Sequence, residues 1–132
     1  MRLSYDTIRF YKLDSERRKS IIRRLKEDLA REEKIKLGLV FGSLTTRHSV
    51  RDVDVCIYSV PIMDFKELLD INARVELDIG IPVDISELSN LPPSLRIDIL
   101  RHGILAKGSR SFSYQLLDQA YAELMAIKTI IS

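Results

Sequence analysis

Seven residues, Ile35-Lys36-Leu37-Gly38-Leu39-Val40-Phe41, form a compact apolar run that stops at Gly42-Ser43. Such a run, bounded by a small-residue turn, reads as a buried strand that delivers its end to a loop. A polar stretch from Leu44 to Arg51 follows, and then the chain alternates. Val53, Val55 and Ile57 point one way, while Asp52, Asp54, Cys56 and Tyr58 point the other. Pro61 closes this second strand. Ile81-Pro82-Val83-Asp84-Ile85 predicts a short third strand, with Pro82 at its start or on a sheet edge.

Helical patterns fill the intervals. Asp14 is placed to cap a helix over Ser15–Lys34, where Ile21, Ile22, Leu25, Leu29 and Ala30 recur at helical spacing. Met63–Leu77 suits a second helix, with Phe65, Leu68, Leu69 and Val75 as core candidates and Gly80 just beyond its end. Pro92 and Pro93 introduce a third helix running to about Arg101 and ended by Gly103. Ile104–Lys107 is a brief extended piece. A long C-terminal helix carries Phe112, Leu116, Leu117, Ala120, Leu124, Ile127 and Ile131 on one stripe. Met1–Leu13 reads as a short strand or an ordered arm. The expected class is therefore α/β (α+β): a small mixed sheet flanked by helices, with a C-terminal helix. At 132 residues the chain fits one domain. It divides into an arm and helix (1–34), a central unit (35–108) and the last helix (109–132).

The chemistry concentrates in the acidic positions. Asp52 and Asp54 lie two apart on a predicted strand, so both carboxylates leave one face about 7 Å apart along the backbone. Like charges so placed repel unless a cation bridges them, and Mg²⁺ is suited to a pair of carboxylates completed by water and phosphates. Asp84 occupies the alternating position between Val83 and Ile85. If its strand lies beside that of Asp54, three carboxylates converge and can hold two metal ions for an in-line displacement at phosphorus. Gly42 permits close backbone approach to a ligand, Ser43 offers a hydroxyl, and the turn that follows can form an anion-binding nest. Arg47 and Arg51 flank that site and are candidate phosphate contacts, with solvated loop charge as the plain alternative.

These motifs resemble the minimal nucleotidyltransferase group of the DNA polymerase β-like superfamily over roughly Ile35–Gly108. Phe41-Gly42-Ser43 is similar to that family's signature turn, Asp52-Val53-Asp54 to its metal-binding pair, and Ile81–Ile85 to the strand bearing its third carboxylate. Leu91–Leu95 and Ile99–Gly103 resemble its last helix and the exit from it. The loop departs from the pattern: Leu44–Arg51 is eight residues where the family usually has about ten, and the family's Arg-Gly after the Ser is missing. The resemblance implies a polymerase β-like fold and Mg²⁺-dependent transfer of a nucleoside monophosphate, AMP from ATP, onto a hydroxyl. Asp52, Asp54 and Asp84 would be the catalytic and metal-binding residues. Gly42 and Ser43, with Arg47 and Arg51, would bind the nucleotide. Small members of the family act as antitoxins beside HEPN toxins, some by AMP transfer to a toxin tyrosine, which implies a HEPN-domain partner. The alternative is a weakly active or inactive module of the same fold that neutralises a toxin by binding it.

Other classes recede on composition. The net charge of +2 does not announce a nucleic-acid binder, and the basic face of the first helix is diluted by Glu27, Asp28, Glu32 and Glu33 into a solvated, ion-paired surface. One cysteine and two histidines make neither an internal disulfide nor a conventional zinc site, and a reducing cytoplasm is the expected compartment. No apolar run approaches the roughly 20 residues of a membrane span. A homo-oligomer stays open, and transfer to a small molecule such as an aminoglycoside would require an acceptor domain for which there is no length. Cys56 reads as a small packing residue. Arg96 and His102 have a spacing similar to a HEPN ribonuclease motif, which is read as coincidence.

Overall fold

The computed structural model describes residues 11–12, 14–42, 49–50 and 52–131, the pairs 11–12 and 49–50 through their backbone. The elements are β1 (Tyr11–Lys12), α1 (Ser15–Ala30), β2 (Ile35–Phe41), β3 (Ser49–Val50), β4 (Val53–Ser59), α2 (Phe65–Ile79), β5 (Val83–Glu87), a 3₁₀ turn (Leu88–Asn90), α3 (Pro93–His102), β6 (Ile104–Lys107) and α4 (Arg110–Ile131). Four strands form a sheet in the order β5-β4-β2-β6. β2 is antiparallel to both β4 and β6, and β4 is parallel to β5. The sheet is thus mixed, as the alternation of strands and helices predicts. β1 and β3 pair separately, so the arm supplies a short strand.

Both sheet faces are covered, which is why β2 reads as an apolar run and not as an alternating strand. On one face, Ile21, Leu25 and Leu29 of α1 and Ile71, Val75 and Ile79 of α2 pack on Val53, Val55 and Ile57. On the other, Ile99 and Leu100 of α3 and Leu116 of α4 close over Leu37, Leu39 and Cys56.

Several boundaries differ from the sequence expectation for identifiable reasons. α1 ends at Ala30 rather than Lys34, and the carbonyls of Leu29 and Glu32 at and beyond that end accept from the Lys107 ammonium at 2.9 and 2.7 Å. α2 starts after Asp64, whose carboxylate accepts from Glu67 N while the Glu67 side chain accepts from Asp64 N, a reciprocal cap. It runs on to Ile79 and ends at Gly80, whose φ of 74° is the left-handed stop. Phe65 (75% exposed) and Leu69 (50%) are not core residues; the helix turns its Ile71-Val75-Ile79 stripe inward instead. β5 begins at Val83, since Pro82 has no N–H to give and contributes only its carbonyl, to Val53 N at 2.8 Å. The stripe of α4 is half used: Leu116 and Ala120 are buried, whereas Ile127 and Ile131 are exposed.

Candidate functional site

Antiparallel pairing brings the C-terminal end of β2 and the N-terminal end of β4 to the same end of the sheet, and parallel pairing brings the start of β5 there too. Register then fixes the neighbours of Asp54. Phe41 is its partner on β2 and Asp84 its partner on β5. Adjacent strands lie about 4.8 Å apart, and partners in register point to the same face. The carboxylates of Asp54 and Asp84 therefore leave one surface side by side. That surface is the one on which Cys56, two residues further along β4, is buried under α3 and α4. Asp54 stands where this cover ends, half-buried, and Asp84 is exposed. Asp52 sits in a bend one residue before β4, also half-buried; it is not a strand residue, as the alternation had it.

Gly42, at the end of β2, packs its backbone close to Asp54. Its φ is 74°, and a Cβ at this position would lie 2.4 Å from Asp54 Oδ2. The left-handed backbone is what favours glycine here, and a side chain would in addition push the Asp54 carboxylate aside. The remaining nucleotide-binding candidates, Ser43, Arg47 and Arg51, and His48 with them, lie outside the described residues.

The donor set is entirely carboxylate oxygen, the chemistry of a hard divalent cation. Among the described residues no three His, Cys, Asp or Glu side chains are gathered closely enough to hold a metal ion alone. The described residues hold the in-register pair Asp54 and Asp84, with Asp52 in the bend before β4, rather than a closed three-ligand cluster. That fits the usual mode of Mg²⁺, which takes one or two carboxylates and fills its other positions with water and substrate phosphates. Asp54 and Asp84, in register on neighbouring strands, are the pair that could hold such an ion.

Cys56 is on the same face but is 2% exposed. Burial, with the nearby Glu87 charge second, pushes its thiol up to about 12, so it is a packing residue and no nucleophile at neutral pH. Three polar residues escaped the sequence reading. Glu87 is a buried acid at the end of β5, its Oε1 accepting from Ser59 N at 3.0 Å and from the Ser59 hydroxyl. Asn72 and Glu76 of α2 bond to the backbone of β5. Their only sequence signal is a polar pair four residues apart, each next to a core position, Ile71 and Val75.

Comparison with solved structures shows the same fold. A chain of a mutant MntA–HpeT toxin–antitoxin complex superimposes with a TM-score of 0.67 at 17% identity, covering 86% of this chain and 93% of that one. A toxin–antitoxin structure with AMP-PNP gives a TM-score of 0.66 at 19% identity, covering 86% and 94%. A tri-AMPylated Shewanella oneidensis HEPN toxin in complex with MNT antitoxin gives 0.63 at 17% identity, covering 90% and 95%. No curated protein matches the chain. The family model for polymerase beta, nucleotidyltransferase, matches residues 23–110. That span runs from within α1 to the start of α4 and takes in Gly42 and all three aspartates, and the chain belongs to this nucleotidyltransferase family.

Proposed function

We propose that this chain is a Mg²⁺-dependent nucleotidyltransferase that moves AMP from ATP onto a hydroxyl of a HEPN-domain toxin, acting as its antitoxin. The observation that carries the reading is the register of Asp54 opposite Asp84, with the Gly42 backbone closed against Asp54. Support for the nucleotide and the acceptor comes from the solved relatives, one with AMP-PNP and one holding a tri-AMPylated HEPN toxin.

In the transfer, the acceptor hydroxyl oxygen forms a bond to the α-phosphorus. The bond from that phosphorus to the bridging oxygen breaks, and pyrophosphate leaves. The hydroxyl proton passes to Asp84, whose exposed position leaves it open to an acceptor approaching from solvent. Gly42, Ser43, Arg47 and Arg51 hold the triphosphate. Bound Mg²⁺ supplies charge neutralisation on the phosphates. The protein's own contribution is positioning: a rigid sheet end fixes the carboxylates before the substrate arrives.

The eight-residue Leu44–Arg51 loop favours a second reading, a partner-binding module of the same fold that masks the toxin without modifying it. Incubation with α-labelled ATP, Mg²⁺ and the HEPN partner separates the two. Label on the partner that is lost with Asp52→Ala/Asp54→Ala is the expected result. Equal labelling by the variant would remove the assigned site. Binding without labelling would select the module.

A further inference from the structure

In the order β5-β4-β2-β6, β5 is an edge strand, and the amides on its outer side need partners from outside the sheet. α2 provides them. Glu76 Oε1 accepts from Val83 N at 2.8 Å, and Asn72 Oδ1 accepts from Ile85 N at 3.0 Å. The match is geometric: residues four apart on a helix rise about 6 Å, and residues two apart on a strand about 6.6 Å. Two side chains on one helix face therefore meet two successive outward amides of the strand.

Those two amides bracket Asp84. Peptide direction alternates along a strand, so with Val83 and Ile85 bonded outward to α2, Asp84 turns its own peptide inward to β4, opposite Asp54. We infer that Asn72 and Glu76 are positioning residues that clamp β5 in the register at which Asp84 stands beside Asp54. A slip of one residue would reverse the faces, turning Asp84 toward the α1/α2 core and an apolar side chain into the site. Apolar burial of Val83 and Ile85 also opposes a slip, but burial is graded, whereas two hydrogen bonds at fixed spacing are satisfied at one register only. The inference rests on Asp84 being a metal-binding carboxylate.

The test uses the full chain and Mn²⁺ alone, followed by water-proton relaxation, with amide exchange measured in parallel. Asp84→Asn is the reference and weakens Mn²⁺ binding. Asn72→Leu and Glu76→Met, made singly, weaken it by about tenfold and speed exchange at the amides of 83 and 85. Glu76→Gln, which keeps the accepting oxygen, restores both. Mn²⁺ binding that falls with Asp84→Asn but not with Asn72→Leu or Glu76→Met overturns the clamp and leaves the site standing. Unchanged binding in Asp84→Asn overturns the site and the clamp with it. Fast exchange of the amides of 83 and 85 in the unaltered protein, relative to β4, also overturns the clamp and needs no variant to fold.

Discussion

Asp54 is confined by backbone on one side and by a second carboxylate on the other, and Gly42 is the residue on which that confinement depends. Alanine there must take a left-handed φ, at about 1–2 kcal/mol, and its methyl would displace Asp54 Oδ2 from 2.4 Å. Gly42→Ala is therefore expected to lower the melting temperature modestly and to abolish label transfer, a loss out of proportion to the stability change. Melting curves and the labelling assay on one preparation check this. Glu87 presents the opposite situation, an acid buried for structure. Its Oε2 is buried without a hydrogen-bond partner, and burial raises its carboxyl above the ordinary 4.5. Below that pH both folded and unfolded chains carry the proton. As pH rises past it the unfolded chain ionises while the folded one holds its proton, so the Glu87 contribution to stability falls until the raised folded value is passed. Glu87→Gln is expected to remove that part of the decline in melting temperature between pH 4 and neutrality. Asp28, raised to about 6 by burial and by the facing Asp78, keeps a decline of the same sign in the variant.

The helices show what sequence pattern reaches and what it does not. Caps are local, and Asp14 and Asp64 each accept an amide three residues ahead, from Arg17 N and Glu67 N. The first was read as a cap, whereas the second was read as part of a helix starting at Met63. C-terminal ends are legible only at Gly80 and Gly103, where a residue type stops the helix. The last turns of α1 and α2 hold no basic residue, and both helices borrow cations from elsewhere. Arg17 donates to the Ile79 carbonyl at 3.3 Å and Arg24 to that of Asp78 at 2.7 Å. Lys107 of β6 does the same for α1. Part of the basic face of α1 is thus a cap for α2, a tertiary role that no local pattern displays. Strand alternation is local in the same way, so the faces of Asp54 and Asp84 could be read while their register could not. Asp52, read as a strand residue, lies in the bend before β4. Lys107 is the stronger of these borrowed caps, since it meets two carbonyls from a partly buried position that also lowers its pKa by desolvation. Lys107→Met is expected to cost about 1 kcal/mol, more than Arg24→Met on its half-exposed side chain. Urea unfolding of the two variants checks the order.

Across the whole molecule the two helical layers are not equally complete. The α1/α2 layer closes over its face of the sheet with side chains drawn from the length of both helices. α4 closes over the other face only with its first half, through Ser113, Leu116 and Ala120. It is tied to α3 by the Arg96–Glu123 ion pair. Beyond it Met125 is 62% exposed, Ile130 82% and Ile131 77%, and among the described residues no helix is long and apolar enough to cross a membrane. Apolar residues that touch so little cannot contribute much burial energy, since that energy scales with area removed from water. Their helix is held by propagation from the packed half. Deleting residues 125–132 is therefore expected to change stability by less than about 1 kcal/mol, a shift of roughly 4 °C or less. Leu116→Ala, in the packed half at 6% exposure, is expected to cost about 2–5 kcal/mol. Should the truncation prove as costly as Leu116→Ala in parallel thermal melts, the projecting half of α4 would have to be a structural element of the fold. The expected small shift instead makes it a surface that the fold carries without needing it.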